Sequence, residues 1–198
     1  MHIVGLTGGI GTGKSVVASL FIQLGISVYN SDYKAKWLMN NNNSLKDELV
    51  ESFGVNTYVD GILNKSYLSG LVFNDSEKLK IINEIVHPYV KLDFENWVTN
   101  NSKTPYVVKE AAILIESGAY KQVDTILLVQ ADLEKRINRV VSRDGVVRKD
   151  VVARIENQLP EIEKQKFSDY TIFNNSSLKE LAFKVKETHN EILKSIKL

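Results

Sequence analysis

The segment Gly5-Leu6-Thr7-Gly8-Gly9-Ile10-Gly11-Thr12-Gly13-Lys14-Ser15 decides how the rest of the chain is read. Gly8, four residues, then Gly13-Lys14-Ser15 is the spacing of a phosphate-binding loop. Gly8, Gly9, Gly11 and Gly13 let the backbone take positive φ and bring its amides to phosphate oxygens. A helix beginning near Gly13 adds its positive end, Lys14 adds a full charge at the β/γ-phosphates, and the Ser15 hydroxyl can ligate magnesium. The flanks fit. His2 to Thr7 is a short β-rich apolar run, and Val16 to Leu24 is an apolar segment stopped by Gly25. The order is strand, loop, helix, and a plain glycine turn would need neither the lysine nor the hydroxyl.

Composition narrows the class. The chain has 198 residues, 43% of them hydrophobic, enough for one good core with a smaller insertion. Twenty-five Lys+Arg against 24 Asp+Glu leave a net charge of +1, so no global basic surface argues for nucleic acid or an anionic membrane. The absence of cysteine removes disulfides, thiolate metal sites and cysteine nucleophiles. No basic leader with an apolar core and no run of about 18 apolar residues occurs, so the expectation is a soluble cytoplasmic protein without nucleic-acid or membrane partners. A monomer is expected.

Outward from the loop, Gly25 to Tyr29 is a second strand, closing a right-handed parallel unit of about 30 residues. Its far end returns to the edge of the sheet that carries the loop, and ligands of open α/β sheets bind at the carboxyl ends of the strands. Asp32 lies just past that end and is expected beside the phosphates. N-capping of the following helix, Tyr33 to Met39, is the alternative. Asn40 to Ser44 is expected as a polar surface loop. From Leu45 to about Asn101 apolar residues recur near helical spacing, with Asp60-Gly61 as a turn between helices and His87-Pro88 as a helix stop or kink. Trp37, Tyr58, Tyr67, Tyr89 and Trp97 are weighed towards core over a ligand wall.

The sheet resumes at Pro105 to Lys109. If that strand is parallel to the first, Glu110 reaches the same edge and can hold magnesium or its waters, with Glu116 near it; simple solvation is the other possibility. Asp124 to Val129 is apolar throughout, as a strand buried on both faces should be, and Asp132 is an N-cap candidate. In the helix from Leu133 to about Asp144, Arg136, Arg139 and Arg143 share one stripe, continued by Arg148, Lys149 and Arg154 around a hinge at Gly145. Such arginines are either a wet face or a guanidinium clamp over a transferring phosphoryl group, and Arg139 is favoured for the clamp. Asp169 to Phe173 is a fifth strand, Asn174 at its end a reader of base or ribose, and Leu178 to Ile196 a closing helix.

Together these segments resemble the dephospho-coenzyme A kinase family. The resemblance rests on Gly5 to Ser15, Leu24-Gly25 through Val28 to Asp32, Asp60 to Lys65 with Leu68 and Val72-Phe73, and His87-Pro88. It continues in Ile113 to Glu116, Arg139 with Arg143, Gln158 with Lys164, and Asp169 to Asn174. The chain departs from the family's usual residues at Asn30 (Asp), Lys65 (Arg) and Ala112 (Pro). The resemblance implies a P-loop NTPase-type α/β fold: a five-stranded parallel sheet flanked by helices, with a helical insertion and a short lid. It divides the chain into a nucleotide-binding core of residues 1–31 and 105–198, a coenzyme-binding insertion of 32–104 and a lid of 136–154. The implied reaction moves the ATP γ-phosphoryl to the ribose 3′-hydroxyl of dephospho-CoA, with ATP and Mg2+ required. Gly8, Gly9, Gly11, Thr12, Gly13, Lys14, Ser15, Val16, Arg143 and Asn174 then bind ATP. Lys14, Asp32 and Arg139 are catalytic, with Asp32 accepting the 3′-hydroxyl proton. Asp32, His87 and Glu116 contact the acceptor, and Ser15 and Glu110 hold the metal. Another small nucleoside or nucleotide kinase and a nucleotide-dependent switch remain as alternatives.

Overall fold

A computed structural model describes residues 1–72, 75–101 and 103–196; Phe73, named above, lies outside them. The described residues divide into two compact units, Met1–Asn30 with Asn101–Leu198, and Ser31–Asn100.

The first unit is built on a parallel sheet of β1 (His2–Thr7), β2 (Ser27–Asn30), β5 (Tyr106–Glu110), β6 (Thr125–Gln130) and β7 (Tyr170–Phe173) in the order β2-β5-β1-β6-β7. β1 is central, pairing Leu6 with Glu110 on one side and Thr7 with Leu128 on the other. Every residue of β5 and β6 is buried, which explains the apolar run Ile126–Val129 in β6, while β5 ends on the buried charges of Lys109 and Glu110. Since all strands run the same way, the carboxyl ends of β1, β2, β5 and β7 meet at one edge. The chain crosses from β5 on one side of β1 to β6 on the other, so the crevice opens at the end of β1, where the glycine loop begins.

On one face, α1 (Lys14–Gln23) buries Val17, Ala18 and Phe21 together with Leu181, Val185 and Ile192 of α9 (Leu178–Ile196) against Val4, Leu6, Val108, Leu127 and Ile172. Phe21 meets Tyr106 edge-on, ring centroids 6.4 Å apart. The other face carries a small cluster of Ala111, Leu114 and Ile126. A third cluster joins α6 (Leu133–Asp144) to α7 (Arg148–Glu156) through Ile137, Val140 and Val151, and Ile10 of the loop packs against it. Gly145 caps α6 in the left-handed conformation. A short α8 (Glu161–Gln165) follows Pro160. Asp132 precedes α6 but makes no side-chain cap; its carboxylate accepts from Asn175 Nδ2 at 2.7 Å.

The second unit contains α2 (Ser31–Asn41), α3 (Asn43–Phe53), a hairpin of β3 (Tyr58–Val59) and β4 (Ile62–Leu63), α4 (Lys65–Val72) and α5 (Ser76–Asn100). Three expectations change. Asn40 to Ser44 is not a loop: Asn40 and Asn41 end α2, Asn42 caps α3 by accepting from the Leu45 amide at 3.0 Å, and only that residue is non-helical. The asparagines mark a junction because Asn competes best at helix ends. Asp60-Gly61 turns between two strands, not two helices, with positive φ at both residues, the geometry that a two-residue hairpin requires. Pro88 does not stop α5, which runs through it with Val86, Val90 and Phe94 buried on the same helix. The aromatic residues are less buried than core residues: Trp37 is 44% exposed, while Tyr58 and Tyr67 donate their hydroxyls to the Met39 and Phe53 carbonyls. No helix among the described residues is long and apolar enough to cross a membrane.

Candidate active site

The loop between β1 and α1 is held by its carbonyls. The Gly9 oxygen accepts from the Thr12 amide at 3.3 Å and hydroxyl at 2.9 Å, and that of Ile10 from Arg136 Nε at 2.9 Å. Arg139 reaches the Gly11 oxygen at 3.3 Å and Asn174 Nδ2 the Thr12 oxygen at 2.8 Å, while the Gly13 oxygen starts the α1 ladder. Each of these oxygens would repel a phosphate, and each is committed to a donor instead. Gly11 and Gly13 take φ of 80° and 95°. A Cβ on Gly11 would stand 2.5 Å from the Arg136 carbonyl oxygen, so α6 approaches the loop as closely as a glycine backbone permits. Gly13 precedes the first turn of α1, where Lys14 and Ser15 present their amides at the positive end of the helix.

Glu110, buried at the tip of β5, faces this helix start. Its Oε1 accepts from the Ser15 hydroxyl at 3.3 Å and its Oε2 from Asn30 Nδ2 at 2.8 Å. A hydroxyl and one carboxylate oxygen side by side are the hard ligands that Mg2+ takes when substrate phosphates and water complete its shell. Among the described residues no group of three or more His, Asp or Glu side chains gathers elsewhere for a metal. The donor set at Ser15 and Glu110 fits magnesium.

The arginine stripe of α6 separates by contact. Arg136 is almost wholly buried behind the loop and lies 3.0 Å from Glu161 Oε1. Arg139 is half-buried and joins the loop to the end of β7, donating to the Gly11 and Asn174 carbonyls. Arg143 is exposed, forked onto the neighbouring Asp144 at 2.6 and 2.9 Å, and that pairing holds its guanidinium above the ordinary arginine range and the Asp144 carboxyl below its own. Arg148 is similarly forked onto Glu134.

The structure thus brings together Gly8 to Val16, Glu110, Arg139 and Asn174. Asn174 is buried, and its amide nitrogen is directed at the loop. Glu116 is placed differently: it pairs with the fully buried Lys164 at 2.7 Å and accepts from the Leu159 amide at 3.2 Å. Asp32 sits in the first turn of α2, two residues beyond β2, and His87 lies within α5 before Pro88, both in the second unit. Sequence reasoning missed Glu161 and gave no role to Gln158, whose Oε1 accepts from the Ile10 amide at 2.9 Å. Their only local signal is a pair of polar residues flanking Pro160.

A glycine loop entering a helix at the crevice of a five-stranded parallel sheet, with a carboxylate at the next strand tip, defines a P-loop kinase of the α/β class. The family model of dephospho-CoA kinase matches residues 2–180, and the chain belongs to that family. A dephospho-CoA kinase of Bacteroides fragilis is 37% identical over 172 residues, 87% of this chain and 84% of the relative. One from Leptospira interrogans is 35% identical over 192 residues, covering 96% and 93%. The crystal structure of TT1252 from Thermus thermophilus superposes with a TM-score of 0.82 at 36% identity, over 96% of this chain and 97% of that one. The activity is that of an ATP-dependent dephospho-CoA kinase, acting in the last step of coenzyme A biosynthesis.

Proposed function

We propose how the residues divide the transfer of the ATP γ-phosphoryl to the ribose 3′-hydroxyl of dephospho-CoA. Phosphoryl transfer needs positioning and charge neutralisation more than covalent help. The loop from Gly8 to Val16 holds the phosphates, with Lys14 at the β/γ-phosphates. Ser15 and Glu110 hold magnesium, which when bound offsets phosphate charge. Asp32 orients the acceptor hydroxyl and takes its proton. Arg139, already anchored beside the loop, offsets charge on the moving group, and Arg143 exchanges its exposed Asp144 partner for an ATP phosphate. The Ser31–Asn100 unit, with His87, supplies the coenzyme contacts, and Glu116 lines the acceptor side. The observation that carries this reading is the loop itself, whose oxygens from Gly9 to Gly13 are all satisfied by donors away from a bound anion.

The test is an assay with ATP, Mg2+ and dephospho-CoA that detects a new 3′-phosphate, run beside a panel of other nucleoside acceptors. Asp32→Asn should lower kcat by about 10²-fold or more, the usual worth of a general base, with the ATP dissociation constant unchanged. Full turnover in that variant removes Asp32 from the chemistry. Lys14→Ala should lose transfer for every acceptor, and an active variant overturns the loop assignment.

A further inference from the structure

An early residue of the loop, Ile10, is held in an unexpected way. The Ile10 amide donates to Gln158 Oε1 at 2.9 Å while the Ile10 carbonyl accepts from Arg136 Nε at 2.9 Å, so side chains 148 and 126 residues away grip both polar groups of one residue. The Ile10 side chain is fixed as well, packed against Ile137, Val140 and Val151. One residue earlier, Gly9 lies against the Arg136 and Glu161 side chains, which pair with each other at 3.0 Å. A Cβ on Gly9 would come within 2.3 Å of Arg136 Nη2 and 2.8 Å of Glu161 Oε1.

A carboxylate this close to an anion site ought to compete with phosphate, yet its charge is contained. Burial pushes the Glu161 carboxyl up from its ordinary value, and Arg136, the Gly9 amide, Lys164 and Lys14 oppose that shift. The segment carrying Gln158 and Glu161 is anchored at its other end: buried Lys164 pairs with Glu116, which also accepts from the Leu159 amide. The stretch from 158 to 164 is therefore a strap, tied through Glu116 to the turns after β5, and to the loop directly through Gln158 and by way of Arg136 through Glu161.

We propose that Gln158, with Glu161 beside it, is a positioning residue for the ATP triphosphate. By taking the Ile10 amide, and by pairing Glu161 with the Arg136 that holds the Ile10 carbonyl, the strap turns the peptides on either side of Ile10 away from the phosphates. That fixes the curvature which aims the later amides, from Gly11 to Ser15, inward. Pre-set donors cost no reorganisation when the anion arrives. A loop released from the strap must be ordered by ATP itself, which appears as lost affinity for phosphates and not as lost chemistry. This inference rests on the kinase reading above, but its binding test does not need the acceptor.

Gln158→Leu removes the acceptor at similar size, and Gln158→Glu keeps an acceptor. In Gln158→Leu, the KM for ATP and the dissociation constant of ADP should rise by about tenfold, the effect of leaving one part-buried amide unpaired. The kcat should stay within about threefold and the KM for dephospho-CoA should hold, because the strap acts only on the loop. Gln158→Glu should restore protection of the Ile10 amide from hydrogen exchange, although its charge beside the anion site opposes ADP. An ADP dissociation constant within twofold of wild type in Gln158→Leu overturns the proposal, as does a Gln158→Glu variant whose Ile10 amide exchanges as fast as that of the leucine one. Should the leucine variant not fold, the wild-type chain decides: its Ile10 amide must be protected from hydrogen exchange without nucleotide, and exchange at the rate of an open loop refutes the strap. Wild-type ADP binding without dephospho-CoA turnover would count against the reaction alone.

Discussion

The side chain of Asn174 donates to the carbonyl of Thr12 at 2.8 Å, joining the end of the last strand to the middle of the phosphate loop. The same residue accepts from Arg139 through its carbonyl and donates its own amide to Gln130, so it is fixed from three directions. Asn174→Asp places a second oxygen against the Thr12 oxygen. Asn174→Ala leaves that buried carbonyl without its donor, at a cost of about 1–3 kcal/mol. Both variants should raise the KM for ATP, the aspartate more than the alanine, since it adds a negative charge beside the anion site. Steady-state kinetics with ATP varied will show this; equal KM values in all three proteins would mean that Asn174 does not shape the loop.

Glycine-to-alanine changes in the loop should differ by what each Cβ meets. At Gly11 the obstacle is the Arg136 backbone oxygen at 2.5 Å, and φ is positive as well, so nothing can yield without moving α6. At Gly9 the obstacles are the ends of the Arg136 and Glu161 side chains, which can swing. Gly11→Ala should therefore lose ATP binding and lower the melting temperature, while Gly9→Ala should retain measurable binding. A Gly11→Ala protein with wild-type affinity contradicts the close approach of α6.

Glu110 links the loop serine to Asn30 at the strand tips. If it helps to hold magnesium, Glu110→Gln keeps a similar shape and one acceptor but loses the charge that a hard cation needs. The Mg2+ concentration for half-maximal turnover should rise by about tenfold or more, a shift of the size seen when a metal site's supporting groups are removed. Saturating Mg2+ should restore much of the rate. A titration curve that overlays the wild type removes Glu110 from the metal site.

What the sequence disclosed, and what it hid, follows from distance along the chain. The loop was legible because eleven adjacent residues carry it. Strand β6 was legible because burial on both faces leaves its run from Ile126 to Val129 without a polar residue. The fate of the α6 arginines was not: helical spacing showed one stripe, but whether each met a carbonyl, a buried carboxylate or an exposed neighbour depends on how the helix docks on the loop. Glu161 was invisible for the same reason, since its partner Arg136 sits on a different helix. The pairing of Glu116 with Lys164 was hidden for the same reason, since the two residues are far apart in the sequence. The hairpin at Asp60-Gly61 was missed because two-residue strands are too short to show alternation.

Acid sensitivity should have a traceable source in the core. Tyr106, on the fully buried β5, makes a 2.7 Å hydrogen bond to Nδ1 of His189 on α9. When the imidazole is neutral with its proton on Nε2, the hydroxyl donates to Nδ1; a second ring proton takes that lone pair and forces the pair to rearrange. Burial holds the His189 pKa below its ordinary 6.5 and raises the Tyr106 hydroxyl far above its own ordinary value. For a base depressed by folding, the unfolded chain takes up the proton first, so the native state loses stability as pH falls below about 6.5 and stops losing it once the folded group is protonated too. Melting temperatures measured from pH 8 to pH 5 should fall across that window. In His189→Gln, which cannot be protonated, the fall should be shallower, with Tyr106 still offered an acceptor. The carboxylates titrate mainly at lower pH, which separates the two contributions. A glutamine variant whose melting temperature follows the wild-type slope through the whole range would show that the packing of α9 on β5 is indifferent to this proton.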